Sequence, residues 1–136
     1  MKRTLLILYQ AAIGLSDTLT GALLNVAPAF ALGLLGVHAP LEALVFVSWV
    51  GAFVFAVGLS CLYGLWLLIR PRCPGRLEAV WLLTAFCRAS VAIFLTQRVA
   101  SGAMAGGWLR IAAFDGLCVA IQAIGLRRGW LRHVIR

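Results

Sequence analysis

Charge is the scarcest commodity in this sequence. Acidic residues number four and basic residues twelve in 136 positions. A soluble domain of this length covers its surface with about a quarter charged residues, so a water-facing globule is excluded. Histidine is nearly absent too: His38 and His133 are the two, and both fall outside the long apolar stretches. That excludes a haem held by a histidine pair within the apolar region. It also denies a serine or cysteine nucleophile the base it needs at the same depth. The four cysteines (Cys61, Cys73, Cys87, Cys118) show no CxxC spacing. Three lie in apolar segments, where they read as small hydrophobes, and Cys73 reads as a free thiol in an arginine-rich loop. No glycine-rich phosphate cradle and no metal-spaced ligand group occurs. The sequence therefore predicts no enzyme, no catalytic residue and no metal. No cofactor is expected either, a bound lipid or quinone excepted.

What is present is apolar length. Hydrophobic residues make up 63% of the chain, and four stretches can cross ~30 Å of hydrocarbon at ~1.5 Å per residue. They cover 5–27, 44–69, 79–96 and 109–126. The expectation is one all-α transmembrane domain over 1–136, a four-helix bundle. Pro28 ends the first span, because it cannot donate to the helix ladder and restricts the residue before it. Pro71, Pro74 and Gly75 force a tight turn between the second and third. Lys2, Arg3 and the apolar run after them imitate a signal peptide, but Asp17 and Asn25 interrupt that run. The segment is expected to stay as a helix of the mature protein.

Orientation follows from the arginines and lysines. The N-terminus, the loop at 70–76 and the C-terminal tail hold Lys2, Arg3, Arg70, Arg72, Arg76, Arg127, Arg128, Arg132 and Arg136, whereas the opposite side holds Arg98 and Arg110. The positive-inside rule then places both termini in the cytoplasm. Trp66, Trp81 and Trp130 are expected at the inner boundary and Trp108 at the outer one, as an aromatic belt. Basic residues that flank apolar segments meet lipid headgroups, and no basic stripe interleaved with aromatics exists, so nucleic acid is not an expected partner. The first outer connection carries Phe30, Leu32, Leu34, Leu35 and Val37. It is expected to lie in the interface, to pack on the bundle or to dock on another protein. A faint echo links Gly14-Leu15-Ser16 to Gly58-Leu59-Ser60, each followed by a leucine pair and a proline.

Three charges fall inside the spans: Asp17, Arg88 and Asp115. Each costs ~2.5–3.5 kcal/mol at a helix centre, and the sum rivals the whole stability of a domain. Arginine does not shed its proton, so Arg88 is expected to meet Asp17, Asp115 or both. Helical spacing adds an inward polar stripe of Gln10, Asp17, Thr18 and Asn25 on the first span. Thr84 lies one turn before Arg88, and Asp115, Cys118 and Gln122 share a face of the fourth span. Gly51 and Gly58 on the second permit close backbone approach. One arginine against two acids leaves a spare carboxylate. The cluster is therefore either a structural ion pair that fixes register or a proton or substrate site. A second, outer-face cluster is expected from His38, Glu42, Arg98 and Arg110, if these are more than ordinary interfacial charges.

The pattern resembles the small four-span bacterial membrane proteins grouped around the DoxX-like families. Gly14, Gly21 and Pro28, then Gly51 and Gly58, then Asp115-Gly116 carry the resemblance across most of the chain. It implies a four-helix bundle in the bacterial inner membrane, at times associated with oxidoreductases, and transfers no catalytic residue. The expected function is a non-catalytic subunit of a larger membrane assembly, respiratory or photosynthetic. Its partners would be other membrane subunits or a second copy, together with lipids. The alternative is a small proton-coupled transporter or channel that uses Asp17 or Asp115.

Overall fold

Four of the chain's helices are long and apolar enough to cross a membrane: Arg3–Val26, Leu41–Ile69, Gly75–Ala100 and Gly106–Arg127. The computed structural model describes residues 3–70 and 74–131. Lys2, Pro71, Arg72, Cys73, Arg132, His133 and Arg136, to which the sequence assigned roles, lie outside the described residues. Those described residues are mostly helical, without a strand. Helix α1 spans Arg3–Val26, α2 Pro28–Leu34, α3 Leu44–Ile69, α4 Pro74–Ala100 and α5 Leu109–Arg127. One turn of 3-10 helix leads into α3 and another into α5. The third span is longer than its sequence suggests, because α4 runs on through Gln97, Arg98 and Val99 to Ala100.

Helices α1 and α3 form the tightest pair, and glycine is the cause. The two run antiparallel, and each seam glycine lies against a backbone across from it: Gly14 against Leu62, Gly21 against Phe55, Gly51 against Asn25 and Gly58 against Thr18. A Cβ at Gly51 would lie 2.8 Å from Leu24 Cβ and 2.9 Å from the Asn25 amide nitrogen. One at Gly21 would strike the backbone of Phe55, and one at Gly58 the backbone and hydroxyl of Thr18. Backbones that approach this closely trade side-chain volume for dispersion contact along the seam. Both glycines of the sequence echo lie on this seam, Gly14 against Leu62 and Gly58 against Thr18, one turn apart.

Helices α4 and α5 form the second pair, and α3 joins the two pairs at one end. There Leu6, Leu67, Leu68, Leu77, Trp81 and Leu131 make an apolar core. At the opposite end the greasy connection folds down onto the bundle. Pro28 starts α2 at its first turn, where its missing N–H would be unpaired in any case. Ala31, Leu32 and Val37 are buried against Leu24, with Leu44 and Trp108 packed around them. Gly36 turns the chain with φ +66°, in the left-handed region that favours glycine. Leu32 and Val37 thus pack on the bundle, while Phe30 and Leu34 of the same segment stay exposed.

Outward faces remain strongly apolar. Only 17% to 28% of the most apolar stretch of each long helix is buried within the chain. Phe46, Trp49, Phe53, Leu83, Phe86 and Leu117 all stand exposed. So large an uncovered apolar surface is foreign to a water-soluble monomer.

Candidate functional site

Polar side chains collect between the two helix pairs, in a layer bounded by the two apolar ends. On α4 the buried line runs Leu77, Trp81, Thr84, Arg88 and Leu95, in steps of three, four and seven. On α5 it runs Ala112, Asp115, Cys118, Gln122 and Gly125. On α1 it runs Leu6, Gln10, Gly14, Asp17, Gly21 and Leu24. Asp17 and Arg88 each stand fourteen residues beyond the first residue of their helices, and so at one height.

Arg88 occupies the centre. Its Nη1 donates to Asp115 Oδ1 at 2.6 Å, and its Nη2 donates to Asp17 Oδ2. The guanidinium fork thus holds one carboxylate from α1 and another from α5. Side-chain exposure is 4% for Arg88, 10% for Asp17 and 12% for Asp115, so the trio is nearly sealed. Arg88 Cζ also sits 5.6 Å from the centroid of the Phe114 ring, a cation-π contact that rewards a desolvated guanidinium. With both acids ionised the site carries one negative charge in excess.

A second tier of hydrogen bonds lies nearer the leucine-rich end. Gln10 donates from Nε2 to the Cys61 carbonyl at 2.9 Å and accepts at Oε1 from Trp81 Nε1 at 3.0 Å. It therefore pins α1 to α3 and to α4 at once. Gln122 Nε2 donates to Thr84 Oγ1 at 2.8 Å, and Thr84 passes its own proton to the Val80 carbonyl, also at 2.8 Å. Cys61 and Cys118 are free, buried thiols in this region. Among the described residues, three buried polar atoms keep no hydrogen-bond partner: Tyr9 Oη, Arg88 Nε and Gln122 Oε1.

Two expected members of the inner cluster stand elsewhere. Thr18 is half-buried and returns its hydroxyl to the Gly14 carbonyl at 2.6 Å, facing α3 rather than the arginine. Asn25 is exposed. The reason is angular: at 100° per residue, Gln10, Asp17 and Leu24 repeat every seven and form the interior line. Thr18 and Asn25 form a parallel line turned by one residue. The outer-face cluster is not assembled. His38, Glu42, Arg98 and Arg110 are all exposed, and no ion pair joins them among the described residues. Arg98 lies over the ring of its helix neighbour Phe94, with Cζ 5.4 Å from the centroid. Arg110 reaches the Gly36 carbonyl at 3.3 Å instead. Each cation finds a partner close at hand and has no need of Glu42.

Trp81 is the residue that sequence reasoning misplaced. It belongs to no aromatic belt; it is fully buried and packs on Tyr9 with ring centroids 5.7 Å apart. Its position three before Thr84 and seven before Arg88 was the available signal, since that spacing puts it on their face. Trp66, by contrast, is exposed.

Chemically, the layer can hold a proton or distribute charge. No group of three histidine, cysteine or acidic side chains among the described residues is placed to hold a metal. No protein-family model, curated protein or solved structure was found to match the chain. Fold and geometry define the class: an all-helical protein with four helices suited to spanning a membrane and a sequestered polar layer between them.

Proposed function

We propose that the chain is a four-span protein of the bacterial inner membrane, with both termini cytoplasmic, that serves as a non-catalytic subunit of a larger membrane assembly. It would be a DoxX-like accessory subunit of a respiratory or photosynthetic complex. The observation that carries this reading is the division of labour between inside and outside. Arg88 ties Asp17 and Asp115 together at mid-helix, while aromatic and aliphatic side chains cover the outer faces. Inward salt bridges of this kind fix helix register and exclude alternative packings. Outward apolar faces suit contact with lipid and neighbouring helices. Isolation in mild detergent is the test. A defined partner at fixed stoichiometry is the expected result, and a monodisperse, partner-free protein contradicts it.

A proton-coupled transporter or channel is the second reading. One arginine faces two carboxylates, and Tyr9 Oη and Gln122 Oε1 lie buried without partners. Such imbalance near the midplane is the usual setting of a proton relay. Asp17→Asn or Asp115→Asn would then abolish pH-driven uptake in liposomes while the protein still accumulates. Loss of accumulation together with uptake assigns the acids to structure.

A further inference from the structure

A groove of about 310 Å³ runs along the outside of the α4–α5 seam. Its walls are Leu82, Ala85 and Ala89 on α4, with Val119 and Ala123 on α5, and Arg127 stands at one end. The cause is visible in the sequence. These positions are offset by a residue or so from the buried lines through Arg88 and Gln122. Alanine there leaves a channel where leucine would fill it.

We propose that this groove binds one acyl chain of an anionic phospholipid, with Arg127 taking the phosphate. The inference rests on the membrane-spanning reading above. Three observations select a lipid over a helix of another protein. The walls are apolar over their whole length and end on a single cationic group, so the complementary ligand is an apolar chain with an anionic head. From Leu82 to Ala89 is seven residues, ~10 Å of rise, and the groove ends level with the charge layer. Its last α4 residue, Ala89, is one position past Arg88 and so at mid-helix, a depth that matches one leaflet rather than the ~30 Å that a spanning helix would contact. Finally, the end of the bundle that holds Arg127 is basic. Arg3, Arg70, Arg76 and Arg128 share it, with Glu78 the acidic residue there among the described residues. Basic sites between spanning helices at the cytoplasmic boundary are where anionic headgroups settle.

The test uses the whole protein in detergent micelles, mixed with equal amounts of phosphatidylglycerol and phosphatidylcholine and read by native mass spectrometry. Wild type is expected to retain one phosphatidylglycerol in about fivefold preference, the size expected of one basic group near a headgroup. Arg127→Gln removes the preference, and Arg127→Lys restores most of it. Ala123→Phe, which fills the groove from an exposed position, removes the adduct of either lipid. Arg128→Gln leaves the preference at half its size or more. Equal retention of the two lipids by wild type overturns the proposal, as does an Arg127→Gln variant that keeps its preference. A wild-type protein that retains neither lipid, together with an Ala123→Cys variant that cross-links to a second copy, also overturns it, by giving the groove to a helix. Failure of the membrane reading is distinguishable: the wild-type chain would then leave the membrane fraction on alkaline washing.

Discussion

Arg88 is the side chain on which the interior depends, because its charge cannot be given up and its surroundings offer no water. The fork places one Nη donor on Asp17 and the other on Asp115 and leaves Nε without a partner. Either carboxylate alone still neutralises the guanidinium. Asp17→Asn and Asp115→Asn should therefore each destabilise less than loss of the arginine, which strands two acids. Gln10 is the other residue with reach. It bridges Cys61 on α3 and Trp81 on α4 with its two amide ends. Gln10→Leu leaves the buried Trp81 N–H unpaired, and an unmet buried donor costs about 1–3 kcal/mol. Unfolding by a denaturing detergent should show a loss in that range, with Trp81 fluorescence shifted. An unchanged midpoint would place Gln10 outside the core network. The charge trio was legible from insertion cost alone, since three charges inside apolar helices had to meet. Asn25 was misread because a stripe drawn at steps of three and four is wide enough to include two adjacent lines. Only the seven-residue repeat separates the interior line through Asp17 from the flank through Thr18.

At the scale of elements, the α1–α3 seam makes the sharpest demands on sequence. Gly21 faces the Phe55 backbone, which cannot rotate away as a side chain can. Gly21→Ala should cost several kcal/mol, in the range of severe overpacking, because one helix must move from the other. Gly116 offers the matched control: it lies in α5 with nothing within 4 Å of an added Cβ. Gly116→Ala should be neutral or should stabilise by up to ~1 kcal/mol through helix propensity. Thermal denaturation of the two variants checks both, and equal midpoints would deny the seam its role. The helices themselves were readable from apolar length, and Pro28 marked the break between α1 and α2. What periodicity did not carry was which helix pairs most closely with which. Periodicity did put Trp81 on the face of Thr84 and Arg88, but a tryptophan near a span end suits a belt equally well until the Gln10 bond is seen. The outer-face cluster failed for a related reason. Arg98 and Arg110 sit near acidic and histidine side chains in sequence-derived topology, yet a ring one turn away and an exposed carbonyl satisfy them first.

The whole molecule combines a sealed charge layer, two apolar ends and an outer surface that water would not tolerate. The arginine bias between its two ends predicts topology. A fluorescent reporter that matures in the cytoplasm should be active at either terminus. Alkaline phosphatase should be active when inserted at 101–107 and inactive at either terminus. The reverse pattern would invert the orientation, and the basic end of the α4–α5 groove would then face the outer leaflet. The central claim, that Arg88 binds both aspartates in one buried layer, is tested most directly by comparing two variants in reversible unfolding. Arg88→Met alone should lose about 3–5 kcal/mol, the usual cost of leaving buried charges uncompensated. Arg88→Met combined with Asp17→Asn and Asp115→Asn should recover to within ~1 kcal/mol of wild type, since an uncharged layer has nothing left to compensate. A triple variant no more stable than Arg88→Met, or an Arg88→Met protein as stable as wild type, would contradict it.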